Sequence, residues 1–94
     1  MRLKRKRCVL SGKTVRSLDE FYDALSRQLA FPPHFGRNLD ALWDLLTTDV
    51  TGPIDLIWDD AGASKRAMKR DYDRVLALLQ RVAAARPDLR LILR

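Results

Sequence analysis

Ninety-four residues, 47% hydrophobic and 32% charged with a formal net charge of +6, read as one soluble globular domain with a modest core, and exclude a disordered chain. No stretch approaches the ~20 apolar residues of a membrane span, and the basic start has no apolar run behind it, so it is no signal peptide and the expected location is the cytoplasm. The single cysteine, Cys8, rules out an internal disulfide and, in Cys-Val-Leu, reads as a buried structural thiol.

Residues 1–7 (Met-Arg-Leu-Lys-Arg-Lys-Arg) carry five bases and no acid. They form either a basic N-terminal arm or the lead-in to a strand; with no aromatic interleaved to stack on bases, a solvated terminus is favoured over a nucleic-acid contact. Cys8-Val9-Leu10 is a short apolar strand, starting as early as Arg5 or Lys6, and Ser11-Gly12-Lys13 is a turn. Ser17-Leu18-Asp19-Glu20 matches a capping box. Leu18, Phe21, Tyr22, Leu25 and Leu29 keep helical spacing to about Ala30, where Pro32-Pro33 stops the helix.

The stretch from His34 to Leu46 is a loop feeding a short helix. Asn38 is a good N-cap, and Gly36 lets the loop take a turn closed to other residues. Leu39, Leu42, Trp43 and Leu46 lie on one helical face, with Asp40 and Asp44 four apart on the next. Like charges at that spacing weaken a helix by roughly 0.2–0.5 kcal/mol. The helix N-terminus favours Asp40 but not Asp44. Two carboxylates beside a Trp on a helix this short describe a surface built for a partner. Thr47-Thr48 and Thr51-Gly52-Pro53 end the helix and form a connection.

Ile54-Asp55-Leu56-Ile57-Trp58 is the second strand, Asp59-Asp60-Ala61-Gly62 breaks it, and Ser64 is placed to cap a short helix through Met68. The last helix starts near Asp71, with Tyr72, Val75, Leu76, Leu78, Leu79 and Val82 on its core side. Pro87 follows it, and Leu89-Arg90-Leu91-Ile92-Leu93 is the third strand. The order β-α-α-β-α-α-β predicts an α/β fold with a three-stranded parallel sheet, its helices packed mainly on one face.

Charge is unevenly distributed. Residues 38–64 hold six acids (Asp40, Asp44, Asp49, Asp55, Asp59, Asp60) and no base, in a chain that is otherwise strongly basic. Local potential steers a partner more than net charge does, so an uninterrupted acidic segment is expected to begin at the short helix. Catalytic and cofactor chemistry is missing: there is no Gly-rich phosphate loop, no metal-ligand cluster and no serine with a His or Lys partner. His34, the lone histidine, excludes a paired-histidine cleavage of RNA. Asp40 and Asp44 could act as an acid/base pair only if burial raised one of them, which an exposed short helix gives no reason to expect. The chain reads as a binding protein, not an enzyme, with no cofactor.

Gly36-x-Asn38-Leu39-Asp40-Ala41-Leu42-Trp43-Asp44 resembles the signature of the barstar family, the bacterial ribonuclease inhibitors. The capped helix before it, Pro-Ile-x-Leu-x-Trp after it and Leu-x-Leu-Ile-Leu at the end also fall in that family's order, so nearly the whole chain from Cys8 onward is covered. The resemblance implies a barstar-like fold in which loop and second helix plug the active site of a guanyl-type ribonuclease, one to one, with the free inhibitor a monomer. Asp44 would then be the central anchor, standing in for a substrate phosphate among Arg and His residues, and Asp40 would meet basic or guanine-site groups at the pocket edge. Gly36 and Asn38 would contact the enzyme by backbone, Trp43 would support the patch from its flank, and Thr47 would extend it. His34 and Phe35 complete the loop. The resemblance also favours a cis Gly52-Pro53 bond.

Three positions depart from the family's pattern: His34 replaces a tyrosine, Arg37 an acid, and Arg81 a glutamate that touches the enzyme. These changes remove negative charge or add positive charge around the patch and imply a nuclease with at least one acidic residue on its own rim. Two competing readings are a nucleic-acid-binding module using residues 1–7 and the Lys65–Arg74 region, and a barstar-like binder of a basic protein that is not a ribonuclease.

Overall fold

The structure, a computed structural model, describes residues 4–94; the first three residues of the basic start lie outside them. Strands β1 (Lys6–Ser11), β2 (Ile54–Asp59) and β3 (Leu89–Leu93) form a parallel sheet in the order β1-β2-β3. Helices α1 (Leu18–Leu29) and α2 (Leu39–Asp44) lie between β1 and β2, and α3 (Ala61–Met68) and α4 (Arg70–Ala85) between β2 and β3. The expected α/β order and strand direction are found. Among the described residues no helix is long and apolar enough to cross a membrane.

Right-handed crossovers that step the same way across a sheet deliver their helices to one face, and the burial follows. Cys8, Leu10, Ile54, Leu56, Trp58 and Leu89 join Phe21, Leu25, Leu42, Leu46, Val75, Leu79 and Val82 in one core. The in-register rows Arg7–Asp55–Arg90 and Val9–Ile57–Ile92 occupy the other face and take no part in that core. From Arg5 onward the basic start is tied down: the Arg5 guanidinium donates to Asp55 Oδ1 at 2.9 Å and to the Ile54 carbonyl at 3.2 Å.

Trp58 is the centre of the core. Phe21 of α1 stacks on it at 5.6 Å between ring centres, and Tyr72 of α4 meets it edge-on at 5.1 Å. Its indole N–H donates to Ser64 Oγ at 2.9 Å, and the Ser64 hydroxyl donates in turn to the Val15 carbonyl at 2.7 Å. Ser64 therefore does not cap α3, as its place in the sequence suggested. The helix begins four residues earlier than a Ser64 cap would start it, because Asp60 takes a left-handed conformation (φ 51°) that turns the chain at once, leaving Ser64 fully buried on the core side. Cys8 is buried as expected, and burial pushes its thiol up to about 12, which leaves it unreactive.

The N-terminus of α1 has its box with one change of partner. The Glu20 N–H donates to Ser17 Oγ at 3.1 Å, while the Glu20 carboxylate accepts from the Arg16 N–H at 3.1 Å, in place of the Ser17 N–H, and from the Ser17 hydroxyl at 3.2 Å. Ala30 ends α1 in the left-handed region, φ 54°. The Gly52-Pro53 peptide bond is cis, as the resemblance implied.

Candidate functional site

The loop that leads to α2 is held from below and from the side. Phe35 packs edge-on against Phe31 at 5.0 Å and against Tyr22 of α1 at 5.5 Å, so this half-buried ring anchors the loop to the core. Arg37 then turns the chain. Its φ is 52°, whereas no glycine has a positive φ, so the left-handed turn falls at Arg37 and not at Gly36. What Gly36 supplies is room: a Cβ there would lie 3.2 Å from Asn38 Nδ2 and 3.4 Å from Ala41 Cβ.

The Arg37 side chain explains how a non-glycine residue holds that backbone. Its guanidinium donates to Asp19 Oδ1, to the Asp19 carbonyl and to Asp23 Oδ1 of α1, and lies 5.7 Å from the centre of the Tyr22 ring. The positive charge that seemed to intrude on the acidic motif is thus consumed within the chain. Asp19 and Asp23 are themselves a like-charge pair four apart on α1, a pattern that could have marked them as waiting for a cation.

Asn38 caps α2 as expected, its Oδ1 accepting from the Ala41 N–H at 2.8 Å. Leu42 and Leu46 are fully buried, while Leu39 and Trp43 are half-buried against the core. Thr47-Thr48 do not end the helix. After Asp44 the coil widens into a π-helical turn, Leu45–Asp49, closed by the Val50 N–H on the Leu45 carbonyl at 2.9 Å. Thr47 Oγ1 donates to the Trp43 carbonyl at 2.7 Å, and Thr48 Oγ1 to that of Asp44. Such back-bonding pulls carbonyls off the helix axis, and π turns recur at functional sites.

Arg86 ties down the far end of this turn, a role that nothing in the sequence announced. Its Nη1 donates to the carbonyls of Leu46 and Val50, each at 2.7 Å, and its other nitrogens bind Asp88 at 2.9 and 3.0 Å. A Cβ on Gly52 would sit 2.2 Å from Asp88 Oδ2 and 2.7 Å from Arg86 Nη2, so the glycine lets the pair lie where it does.

The outward face of α2 carries Asp40 and Asp44, both exposed, and among the described residues neither has a cation within 4.0 Å. His34, Phe35, Gly36 and Asp44 line one recess of about 240 Å³. Arg37, Asn38 and Asp40, with Tyr22 and Arg74, line a second of about 500 Å³. Trp43 lies under Arg81 of α4, whose guanidinium carbon is 4.9 Å from the ring centre. The structure therefore brings His34, Phe35, Gly36 and Asp44 together, sets Asp40 beside Asn38, and links Trp43 to Arg81; Thr47 is half-buried with its hydroxyl turned inward.

The acidic segment does not survive as one patch. Asp55 lies on the sheet between Arg90 and Arg5, which hold its carboxyl well below the usual carboxylate range, and Asp59 pairs with Arg94 at 2.9 Å. What is left near α2 is Asp40 and Asp44, with Asp49 at the end of the π turn accepting from Thr48 Oγ1 at 3.0 Å.

A small α/β sheet protein that presents an N-capped acidic helix from the β1–β2 crossover has a definite architectural class. The family described as Barstar (barnase inhibitor) matches residues 5–93, and the chain belongs to that family. A Bacillus subtilis (strain 168) protein called "Putative ribonuclease inhibitor YrdF" is 33% identical to it over 75 residues, covering 80% of this chain and 82% of that relative.

Proposed function

We propose that this chain inhibits a bacterial guanyl-type ribonuclease by lodging the 31–38 loop and α2 in its active site, acting as one barstar-like domain in a one-to-one complex. The observation that carries the reading is the placement of Asp40 and Asp44. Both stand exposed on α2 without an arginine of their own chain, Asp44 in the recess with His34 and Asp40 in the one beside Asn38; Asp19, Asp23, Asp55, Asp59, Asp71 and Asp88 each hold an arginine, and Glu20, Asp49, Asp60 and Asp73, which hold none, lie outside those recesses. An RNA-cleaving cleft must be positive to hold phosphate, and a carboxylate there forms charge-assisted bonds of the kind phosphate would. Asp44 is the anchor and shares its recess with His34; Asp40 flanks it. Arg81, on the far side of Trp43, faces an acidic residue on the nuclease rim. The chain guards the cytoplasm of its own cell as an immunity protein.

The test is stoichiometric inhibition of a guanyl-type bacterial ribonuclease, taken first from any encoded together with this chain. Loss of a buried charged hydrogen bond is worth about 1.5–3 kcal/mol, so Asp44→Ala is expected to weaken inhibition about 10- to 100-fold while leaving the thermal midpoint within a degree or two. Equal inhibition by Asp44→Ala would remove Asp44 as anchor. A target that is basic but not a ribonuclease would be seen by co-purification from the native source without any effect on RNA cleavage.

A further inference from the structure

The two outer edges of the sheet are finished differently. On β1 the Lys6 N–H donates to the Pro53 carbonyl and the Gly12 N–H to that of Asp59, each at 2.8 Å, so even-numbered residues bond β2 and odd-numbered ones face outward. Val9, the middle outward residue, is closed by the Gln28 amide of α1. Gln28 Oε1 accepts from the Val9 N–H and Nε2 donates to the Val9 carbonyl, both at 2.8 Å. A side chain thus fills the place of a neighbouring strand.

On β3 the Asp88 carbonyl accepts from the Ile54 N–H and the Arg94 N–H donates to the Trp58 carbonyl, each at 2.9 Å, so Leu89, Leu91 and Leu93 turn their backbone groups outward. The Leu89 N–H is taken by the Arg86 carbonyl at 3.2 Å. Among the described residues, no turn, loop or side-chain bond reaches the outward groups of Leu91 and Leu93. Leu93, 44% exposed, is also the more exposed of the two large apolar side chains left on the surface among the described residues. An open edge of this kind is a template for another strand.

We propose that the strand that fits is β3 of a second copy of this chain, paired antiparallel about a two-fold axis at Leu91. The outward phase of Leu89, Leu91 and Leu93 allows symmetric pairings centred on residue 90, 91 or 92. Centring on Arg90 sets Arg90 opposite its own copy, and centring on Ile92 sets Arg90 opposite Arg94; like charges directly opposite destabilise a pair of strands. Centring on Leu91 avoids both. Arg90 then faces Ile92, Arg94 faces Asp88, and exposed Leu93 lies beside Leu89 of the other copy. With the Leu89 N–H already taken, the pairing forms two backbone bonds between the Leu91 residues and one from each Leu93 N–H to the opposing Leu89 carbonyl. The contact is the same patch on both copies, as two-fold symmetry requires, and it departs from the monomer expected of the free chain.

Sedimentation equilibrium of the full chain, from micromolar to millimolar concentration, tests this. The apparent mass is expected to rise from 10.8 kDa toward twice that value. Leu91→Pro removes an N–H that the internal ladder does not use, and Leu93→Lys sets a charge on the pairing edge; each is expected to abolish the rise, with circular dichroism reporting the fold. In the unchanged chain, amide exchange at Leu91 and Leu93 is expected to slow with concentration. A mass that stays at 10.8 kDa throughout overturns the proposal. So does a doubling that survives either folded variant, or one that leaves the Leu91 and Leu93 amides exchanging as fast as in dilute solution.

Discussion

Arg81 and Trp43 form a stacked pair across α4 and α2, guanidinium carbon to ring centre 4.9 Å. An exposed cation–π contact is worth about 0.5–1 kcal/mol, and Arg81→Ala is expected to lower stability by about that much in urea unfolding. Under the proposed function, Arg81 also sets a positive charge over Trp43, at the edge of the acidic face. Arg81→Glu is then expected to slow association with the cognate nuclease at low salt, an effect that fades as salt screens the rim. Faster association would mean that the nuclease rim is basic where Arg81 meets it.

Arg37 separates two contributions that usually coincide. A left-handed backbone costs a non-glycine residue roughly 1–2 kcal/mol, and the Asp19–Asp23 clamp offsets it. Arg37→Ala keeps the backbone penalty and loses the clamp; Arg37→Gly loses both. Thermal unfolding is expected to rank wild type above Arg37→Gly above Arg37→Ala. If the two variants unfold together, the φ of 52° carries no strain.

Gly52→Ala is expected to shift the Arg86–Asp88 pair. The new Cβ meets the ends of both side chains, and as Arg86 yields, its bonds to the carbonyls of Leu46 and Val50 loosen. Stability should fall by about 1 kcal/mol. Amide exchange should quicken first in residues 45–50, because they are what Arg86 holds. Uniform quickening across the chain would show that Arg86 supports the whole fold rather than this turn.

Acid should act through the sheet. The arginines beside Asp55 and Asp88 depress their folded pKa values, Arg90 and Arg5 for the first and Arg86 for the second. The stability these groups contribute is therefore complete above the unfolded value of about 3.9 and is lost as pH falls through the folded one, where the unfolded chain binds more protons. The urea midpoint should hold from pH 7 to about 5 and drop below about 4. Asp55→Asn should lower the plateau and flatten the drop. A drop of unchanged size would place the acid sensitivity elsewhere.

Much of the fold was legible because local signals agreed. Ser17 and Asn38 cap where their side chains permit, and the apolar spacing of α1, α4 and the three strands marks faces that burial confirms. What could not be read was decided by contacts between distant residues. Asp55 looked like part of one acidic run, but strand register sets it between Arg5 and Arg90, fifty residues upstream and thirty-five downstream. Ser64 looked like a cap because nothing local shows that the Trp58 indole needs an acceptor. The π turn depends on Arg86, forty residues beyond Leu46. At the candidate site, Asp40, Asp44 and the Asn38 cap were visible in the chain itself, while the neutralised state of Arg37 required α1 to be placed beside it.

Gln28 fixes how many neighbours a chain can recruit. With Val9 covered, β1 offers a partner strand no unbroken run of free groups, so under the proposed pairing two copies that join along β3 leave no continuous edge for a third. Gln28→Ala would make the same sheet divalent, able to grow at both ends. One amide on α1 therefore separates an association that terminates from a polymer that does not.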